Sequence, residues 1–263
     1  MPHTNHTVQI LIGSLIIAAV PLLGEVKMQV RDGRPIVDGV YVNGHGPYRF
    51  LVDTGANINL IGASLARKIG MNPTFRVDLA SAAGKTQSQG SDGNEVVIDA
   101  VKMGGQKFLF SGMEALHNSL PDVRGVLGQW FLAQFDYRLD LRGKRLEFGK
   151  QDRNGARSSL RMVNARPVVS TNLGDLVLDS GAVRVILFGV DAGSGGNAYV
   201  RTVTGSQAAG KVSKSLTIEG RTFWRGDAVA MPRGGEPGVA GLLPLSTFKS
   251  IYVCNSEGYV VFE

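Results

Sequence analysis

Two stretches of this 263-residue chain repeat one arrangement: "FLVDTGANINLIG" at 50–62 and "DLVLDSGAVRVILFG" at 175–189. In each, an apolar strand runs into an aspartate, followed by a small hydroxyl residue, a glycine and an alanine. Aspartate is rarely fully buried unless it is paired, and desolvating one alone is costly. Two aspartates in matching settings therefore point to each other. Whatever fold the chain adopts has to bring Asp53 and Asp179 together.

Further landmarks repeat in the same order. A hydrophobic stretch ends in glycine at Gly62 and again at Gly189. A small, polar hairpin candidate follows, "ASAAGKTQSQG" around Gly84 and "VTGSQAAG" around Gly205. Each half then reaches a Gly-hydrophobic run, "GVLGQWFL" from Gly125 and "GLLPLSTF" from Gly241, and closes on a turn and strand, "LRGKRLEF" and "SEGYVVF". Matched positions lie 126, 121 and 116 residues apart, a steady shrinkage expected of a second copy with shorter loops. Repetition at this scale indicates a duplicated unit. The division expected is a leader over 1–24, a first lobe over 25–150, a polar, turn-rich linker over 151–159 and a second lobe over 160–263.

Most of each unit reads as strand. "DGVYVNGHGPYRFLVD" holds a hairpin, with "NG" or "GHG" as its turn, and "EVVIDAVKMGGQKFLF" reads as another, turning over Gly104 and Gly105. Helical pattern is confined to "GASLARKIG", "GQWFLAQF" and "PLSTFKSI". The 35 glycines favour turns and strands over long helices. The fold class expected is all-β, in two lobes with short helices.

Charge and composition exclude several function classes. The net charge of +6 is scattered, without a basic stripe interleaved with aromatics, which argues against nucleic-acid binding. The lone Cys254 cannot form an intramolecular disulfide. "AAGKT" at 82–86 resembles the end of a phosphate-binding loop, but Leu79 stands where that loop needs glycine. None of the four histidines has metal-ligand spacing, and nothing nearby orients His45 or His117 for a nucleophilic triad. No metal or other cofactor is expected. Trp130 and Trp224 read as core or lobe-packing residues, and Lys85 and Arg201 as solvated charges with substrate contact as the alternative. The uncharged apolar run "ILIGSLIIAAVPLL" at 10–23 is short for a transmembrane helix and suits a signal-peptide core or a buried segment. Export to the periplasm or exterior, or tethering to a membrane, is the expectation; the missing positive charge ahead of the run leaves an N-terminal strand as the alternative.

"LVDTGA" and "LVLDSGA", with a flap-like "AAGKT" and with "GVLG", resemble the aspartic peptidases. Each unit is similar to the retropepsin-like branch, and the pair to the bilobal pepsin-like arrangement, over roughly residues 35–263. The resemblance implies a bilobal acid-protease fold with two pseudo-twofold-related β lobes. It implies a catalytic pair, Asp53 and Asp179, that holds one proton between its carboxyls and activates a water against a peptide bond. It implies that the Thr54 and Ser180 hydroxyls lock the two loops together and that Gly55 and Gly181 offer N–H groups to the carboxylates. It places Ala83, Gly84, Lys85 and Gly205 at flap hairpin tips over a polypeptide substrate.

The sequence departs from that pattern in two places. Pro244 stands where the first unit has Gly128, and neither flap carries the tyrosine typical of pepsin's. Alanine at both 56 and 182 removes a hydroxyl donor that pepsin-like sites usually offer one aspartate, so higher dyad pKa values than pepsin's and activity at mildly acidic pH are expected. The reading is an endopeptidase active as a monomer. Its rivals are a catalytically silent peptide-binding or assembly module on the same fold, and an enzyme active only as a dimer.

Overall fold

The structure, a computed structural model, describes residues 24–81, 84–151, 153–191, 198–202, 205–231 and 238–263. Residues 1–23 of the expected leader and Ala83 lie outside the described residues, while Gly24 already belongs to the first strand. The fold is all-β, and its helical pieces are short among the described residues.

The first half opens with strands β1 (Gly24–Arg31), β2 (Arg34–Val42) and β3 (His45–Val52). Of the two turns open in the sequence, Asn43–Gly44 makes the β2–β3 connection. Both residues have positive φ, 50° and 79°, which suits an Asn-Gly pair in a two-residue hairpin. After the Asp53 loop come β4 (Asn59–Gly62) and helix α1 (Ala63–Lys68). Helix α1 buries Leu65 and Ala66 and places Arg67 and Lys68 in its last turn, where cations suit the helix dipole. The half continues with β5 (Phe75–Ser81), β6 (Gly84–Ile98), β7 (Val101–Ser111), α2 (Glu114–His117), β8 (Val123–Leu127), α3 (Gln129–Leu132), β9 (Tyr137–Asp140) and β10 (Arg145–Phe148).

The β6–β7 hairpin does not turn at Gly104–Gly105. It turns at Asp99–Ala100, with Ile98 opposite Val101 and Asp99 at φ 48°. Aspartate tolerates this left-handed conformation, so no glycine is needed at the turn. Gly104 and Gly105 instead lie within β7, where pairing slips from Asn94 opposite Gln106 to Val96 opposite Met103. That inserts one extra residue into β7, a bulge, with Gly105 supplying φ 67°.

The second half comprises β11 (Ala156–Ser159), β12 (Arg161–Val163), β13 (Arg166–Thr171), β14 (Gly174–Asp179), β15 (Ile186–Phe188), β16 (Ala198–Thr202), β17 (Gly205–Ile218), β18 (Arg221–Met231), β19 (Gly241–Pro244), a 3-10 turn (Leu245–Thr247), β20 (Ser250–Cys254) and β21 (Tyr259–Phe262). Strand β11 lies inside the stretch read as a linker, because pairing with β21 satisfies its polar backbone.

The centres of the two halves pair alike. Strand β8 lies parallel to β3 and antiparallel to β4, which runs parallel to β7. Strand β19 likewise lies parallel to β14 and antiparallel to β15, which runs parallel to β18. Registers correspond residue for residue: Ile61 faces Gly125 as Leu187 faces Gly241. The closing strands join the halves, since β9 of the first pairs with β20 of the second, while β10 pairs back onto β1.

Each half packs a triad of phenylalanine rings beneath this shared sheet. Phe131, Phe135 and Phe148 meet at 4.9–5.9 Å between centroids, and Phe223, Phe248 and Phe262 at 4.6–5.6 Å. On the sheet, buried Arg138 donates to Asp140, Glu147, Ser250 and Glu263, tying strands from both halves through one guanidinium. Trp224 packs against the main core, as its sequence context implied. Trp130 does not: it is 40% exposed, its indole N–H donates to the Gly105 carbonyl, and the Lys107 ammonium lies 4.7 Å from its ring centroid.

Candidate active site

Strands β3 and β14 each deliver an aspartate to the same place. The Asp53 N–H donates to the Leu127 carbonyl at 2.9 Å, closing the end of the β3–β8 ladder. Asp179 is the last residue of β14, opposite Pro244 on β19. The chain leaves the ladder at these points, and the following hydroxyl residues find partners in the opposite half.

Beneath the aspartates, Thr54 and Ser180 are fully buried. The Thr54 N–H donates to Ser180 Oγ at 2.9 Å, and the Ser180 N–H to Thr54 Oγ1 at 3.0 Å. Each hydroxyl passes its own proton across: Thr54 Oγ1 donates to the Leu178 carbonyl at 2.7 Å, and Ser180 Oγ to the Val52 carbonyl at 2.6 Å. Four hydrogen bonds form a closed exchange between the loops.

Gly55 and Gly181 let the loops approach. A Cβ on Gly55 would fall 2.7 Å from both carboxyl oxygens of Asp179, and one on Gly181 would fall 2.5 Å from Asp53 Oδ2. No side chain fits either space. Their backbone N–H groups do fit, donating at 2.9 Å to Oδ1 of Asp53 and of Asp179 respectively. The Ala182 N–H also donates to Asp179 Oδ1 at 2.9 Å. Asp53 and Asp179 are each half-buried.

The two carboxyls lie close enough to act on each other's protonation. Burial, the largest cause, pushes both above the ordinary aspartate range; for Asp179 the neighbouring charge of Asp53 adds to it, while backbone N–H donors pull both back. Like charges this close resist double ionisation, so the pair retains a proton where a lone aspartate would be fully ionised.

The structure thus brings together Asp53, Thr54, Gly55, Asp179, Ser180 and Gly181. Gly84 and Gly205 open strands β6 and β17, in the closing pairs of their hairpins opposite Ser81 and Thr202. Lys85 follows on β6 opposite Ala80, and Arg201 lies on β16 opposite Ser206. His117 bonds the Val123 carbonyl through Nε2 at 2.9 Å, and His45 begins β3. Among the described residues, no group of three or more His, Cys, Asp or Glu side chains could hold a metal ion.

Sequence reasoning missed a buried amide network holding the first loop from behind. Asn59 Oδ1 accepts from the Gly128 N–H at 2.9 Å, and its Nδ2 donates to Gln106 Oε1 at 3.1 Å. Gln129 donates twice, through its backbone N–H to the Ala56 carbonyl at 2.8 Å and through Nε2 to the Thr54 carbonyl at 2.9 Å. The matching places in the second half are Val185, Pro244 and Leu245, all apolar. Proline has no N–H to satisfy, so no acceptor is required at position 185. The departure at Pro244 is therefore matched by a second one opposite it. Polar residues inside the otherwise apolar runs "NLIG" and "GVLGQWFL" were the available signal.

Residues 39–131 match the aspartyl protease family. That segment contains Asp53, the β5–β6 hairpin and Gly128; Asp179 lies beyond it. Among solved structures, a retropepsin-like aspartic protease from Rickettsia conorii is similar at 23% identity, with a TM-score of 0.36, over 48% of this chain and 89% of that one. No curated protein matches the chain.

Proposed function

We propose that this chain is an aspartic endopeptidase in which a duplicated unit supplies Asp53 from one half and Asp179 from the other. The observation that carries the reading is the closed hydrogen-bond exchange between Thr54 and Ser180, which fixes two half-buried carboxyls against each other. The family match over 39–131 supports the peptidase class for the first half.

The chemistry follows from one shared proton. The ionised carboxyl removes a proton from a water molecule as the water oxygen attacks the scissile carbonyl carbon. The protonated carboxyl hydrogen-bonds the carbonyl oxygen and transfers its proton as the tetrahedral diol forms. Collapse of the diol breaks the C–N bond: the carboxyl protonated by water gives that proton to the leaving amine, and the other carboxyl takes a hydroxyl proton from the diol, restoring the shared proton. Gly55, Gly181 and Ala182 hold the carboxyls in orientation through N–H groups that cannot swing away. Both carboxyls come from one chain, so this reading needs no second copy. The polypeptide lies extended between the dyad and the β5–β6 and β16–β17 hairpins.

The deciding experiment is digestion of an unfolded protein from pH 3 to 7 beside Asp53→Asn and Asp179→Asn variants. Cleavage by the native chain alone is expected. Inertness of all three folded proteins towards every substrate would leave a peptide-binding module.

A further inference from the structure

The two halves differ at a second matched place near the dyad loops. In the second half a cavity of about 280 Å³ is lined by Arg184, Lys211, Asp227, Ala228 and Val229. Its walls come from three directions. Arg184 lies five residues beyond Asp179 on the same loop, Lys211 comes from the hairpin strand β17, and the rest come from β18. Arg184, Lys211 and Asp227 are exposed. Asp227 accepts a hydrogen bond from Ser213 Oγ at 2.6 Å. Arg184 and Lys211 have no ion-pair partner among the described residues. The cavity is below the usual size for a cofactor or free small molecule, and it is open, so it fits one side chain of a longer ligand.

Strand register identifies the same place in the first half. Leu60 faces Leu109 as Ile186 faces Val229, and Gly90 faces Leu109 as Lys211 faces Val229. Arg184, Lys211 and Asp227 thus correspond to Ile58, Gly90 and Lys107. There the space is filled. The Phe75 ring lies against Gly90 where a side chain would project, and Lys107 sits over the rings of Phe75 and Trp130 at 5.9 and 4.7 Å.

We propose that the Arg184–Lys211 cavity is a substrate subsite that selects an acidic side chain on one side of the scissile bond, with no counterpart on the other. This rests on the peptidase reading for the path of the peptide. Two unpaired cations against one hydrogen-bonded carboxylate leave a positive excess that a glutamate or aspartate neutralises. The arginine offers a planar fork to that carboxylate and the lysine a point charge. The closed aromatic site in the first half cannot admit the same group, so a substrate binds in one direction.

The test uses the full chain and a set of peptides derived from one cleaved sequence, with Glu, Gln or Lys placed at each position flanking the bond. At one position Glu should exceed Gln in kcat/KM by about two- to fivefold, the range of a solvent-exposed ion pair. The advantage should shrink as salt is raised. Arg184→Glu should invert the preference towards Lys. Lys214→Glu, on the opposite face of β17, should leave the ratio as it is. Cleavage with no position distinguishing Glu from Gln, or with Lys preferred through Asp227, overturns the subsite while the peptidase stands. The same peptides are titrated against Asp53→Asn by fluorescence anisotropy. If nothing is cleaved but the Glu peptide binds more tightly in an Arg184-dependent way, the hydrolytic reading falls and the subsite stands.

Discussion

Thr54 and Ser180 are each other's hydrogen-bond donor and acceptor: each backbone N–H donates to the other's side-chain oxygen, at 2.9 and 3.0 Å. Both are fully buried, so neither bond can be replaced by water. Thr54→Val should therefore leave the Ser180 N–H and the Leu178 carbonyl unpaired, at about 1–3 kcal/mol for each orphaned group. Thr54→Ser keeps both bonds and should be close to the native chain. Thermal melting of the pair reads the difference, and a melt of Thr54→Val superimposing on the native one would remove the exchange from the account.

Gly181→Ala tests the dyad without replacing either carboxyl. The added methyl would meet Asp53 Oδ2 at 2.5 Å, so the carboxyls must separate or rotate. Peptidase activity should fall by more than tenfold, in kcat rather than KM, since the change acts on geometry needed in the transition state. Full activity in a folded Gly181→Ala protein would contradict the close approach.

The raised carboxyls fix the sign of a pH effect on stability. A native pKa above the unfolded value means the folded chain binds more protons, so stability falls as pH rises. The loss begins near the unfolded aspartate pKa of about 3.9 and continues up through the raised values. Asp179→Asn can still accept from the Gly181 and Ala182 N–H groups and removes the charge conflict. Its Tm should exceed that of the native chain at pH 7, by about 2–4 °C for each kcal/mol relieved, and converge with it near pH 3. A lower Tm at pH 7 would mean that the hydrogen bonds outweigh the repulsion.

The pH–rate profile should be bell-shaped, rising as the pair loses its first proton and falling as it loses the second. Burial raises both carboxyls, Asp179 to about 8, so the optimum should lie above the ordinary aspartate range and below about pH 8. An optimum at about pH 2 would show instead that the backbone N–H donors overcome burial.

Asn59→Val copies the second half's residue into the first without copying its proline. The Gly128 N–H and Gln106 Oε1 then lose their partners in a buried setting, at about 1–3 kcal/mol for each group. The reverse change, Val185→Asn, buries an amide opposite Pro244, which has no N–H to offer. Both variants should unfold at lower denaturant concentration than the native chain, with unchanged m-values. Tolerance of either would show that the two loops are supported alike.

What could be read from the sequence follows how local each determinant is. Asn43–Gly44 announces its turn because the needed φ angles belong to those two residues alone. Gly104–Gly105 carries the same kind of local signal yet marks a bulge, because the turn is set by how β6 and β7 pair across many residues. Asp53 and Asp179 could be paired on paper because the motif repeats. The amides of Asn59 and Gln129 could not, since each looks like an ordinary polar residue until the packing encloses it. Arg184 likewise acquires its meaning from Lys211, which strand register alone brings to its side.

The sheet that joins β9 to β20 and β11 to β21 has a consequence for how this polypeptide could be divided. A protease nick within 151–155 would sever the backbone without freeing either fragment. Arg138 would still grip Glu263, and the strand ladder would still run from one fragment into the other. Produced as two separate polypeptides split at that point, the fragments should recombine, and hydrolysis regained on mixing would report reassembly directly.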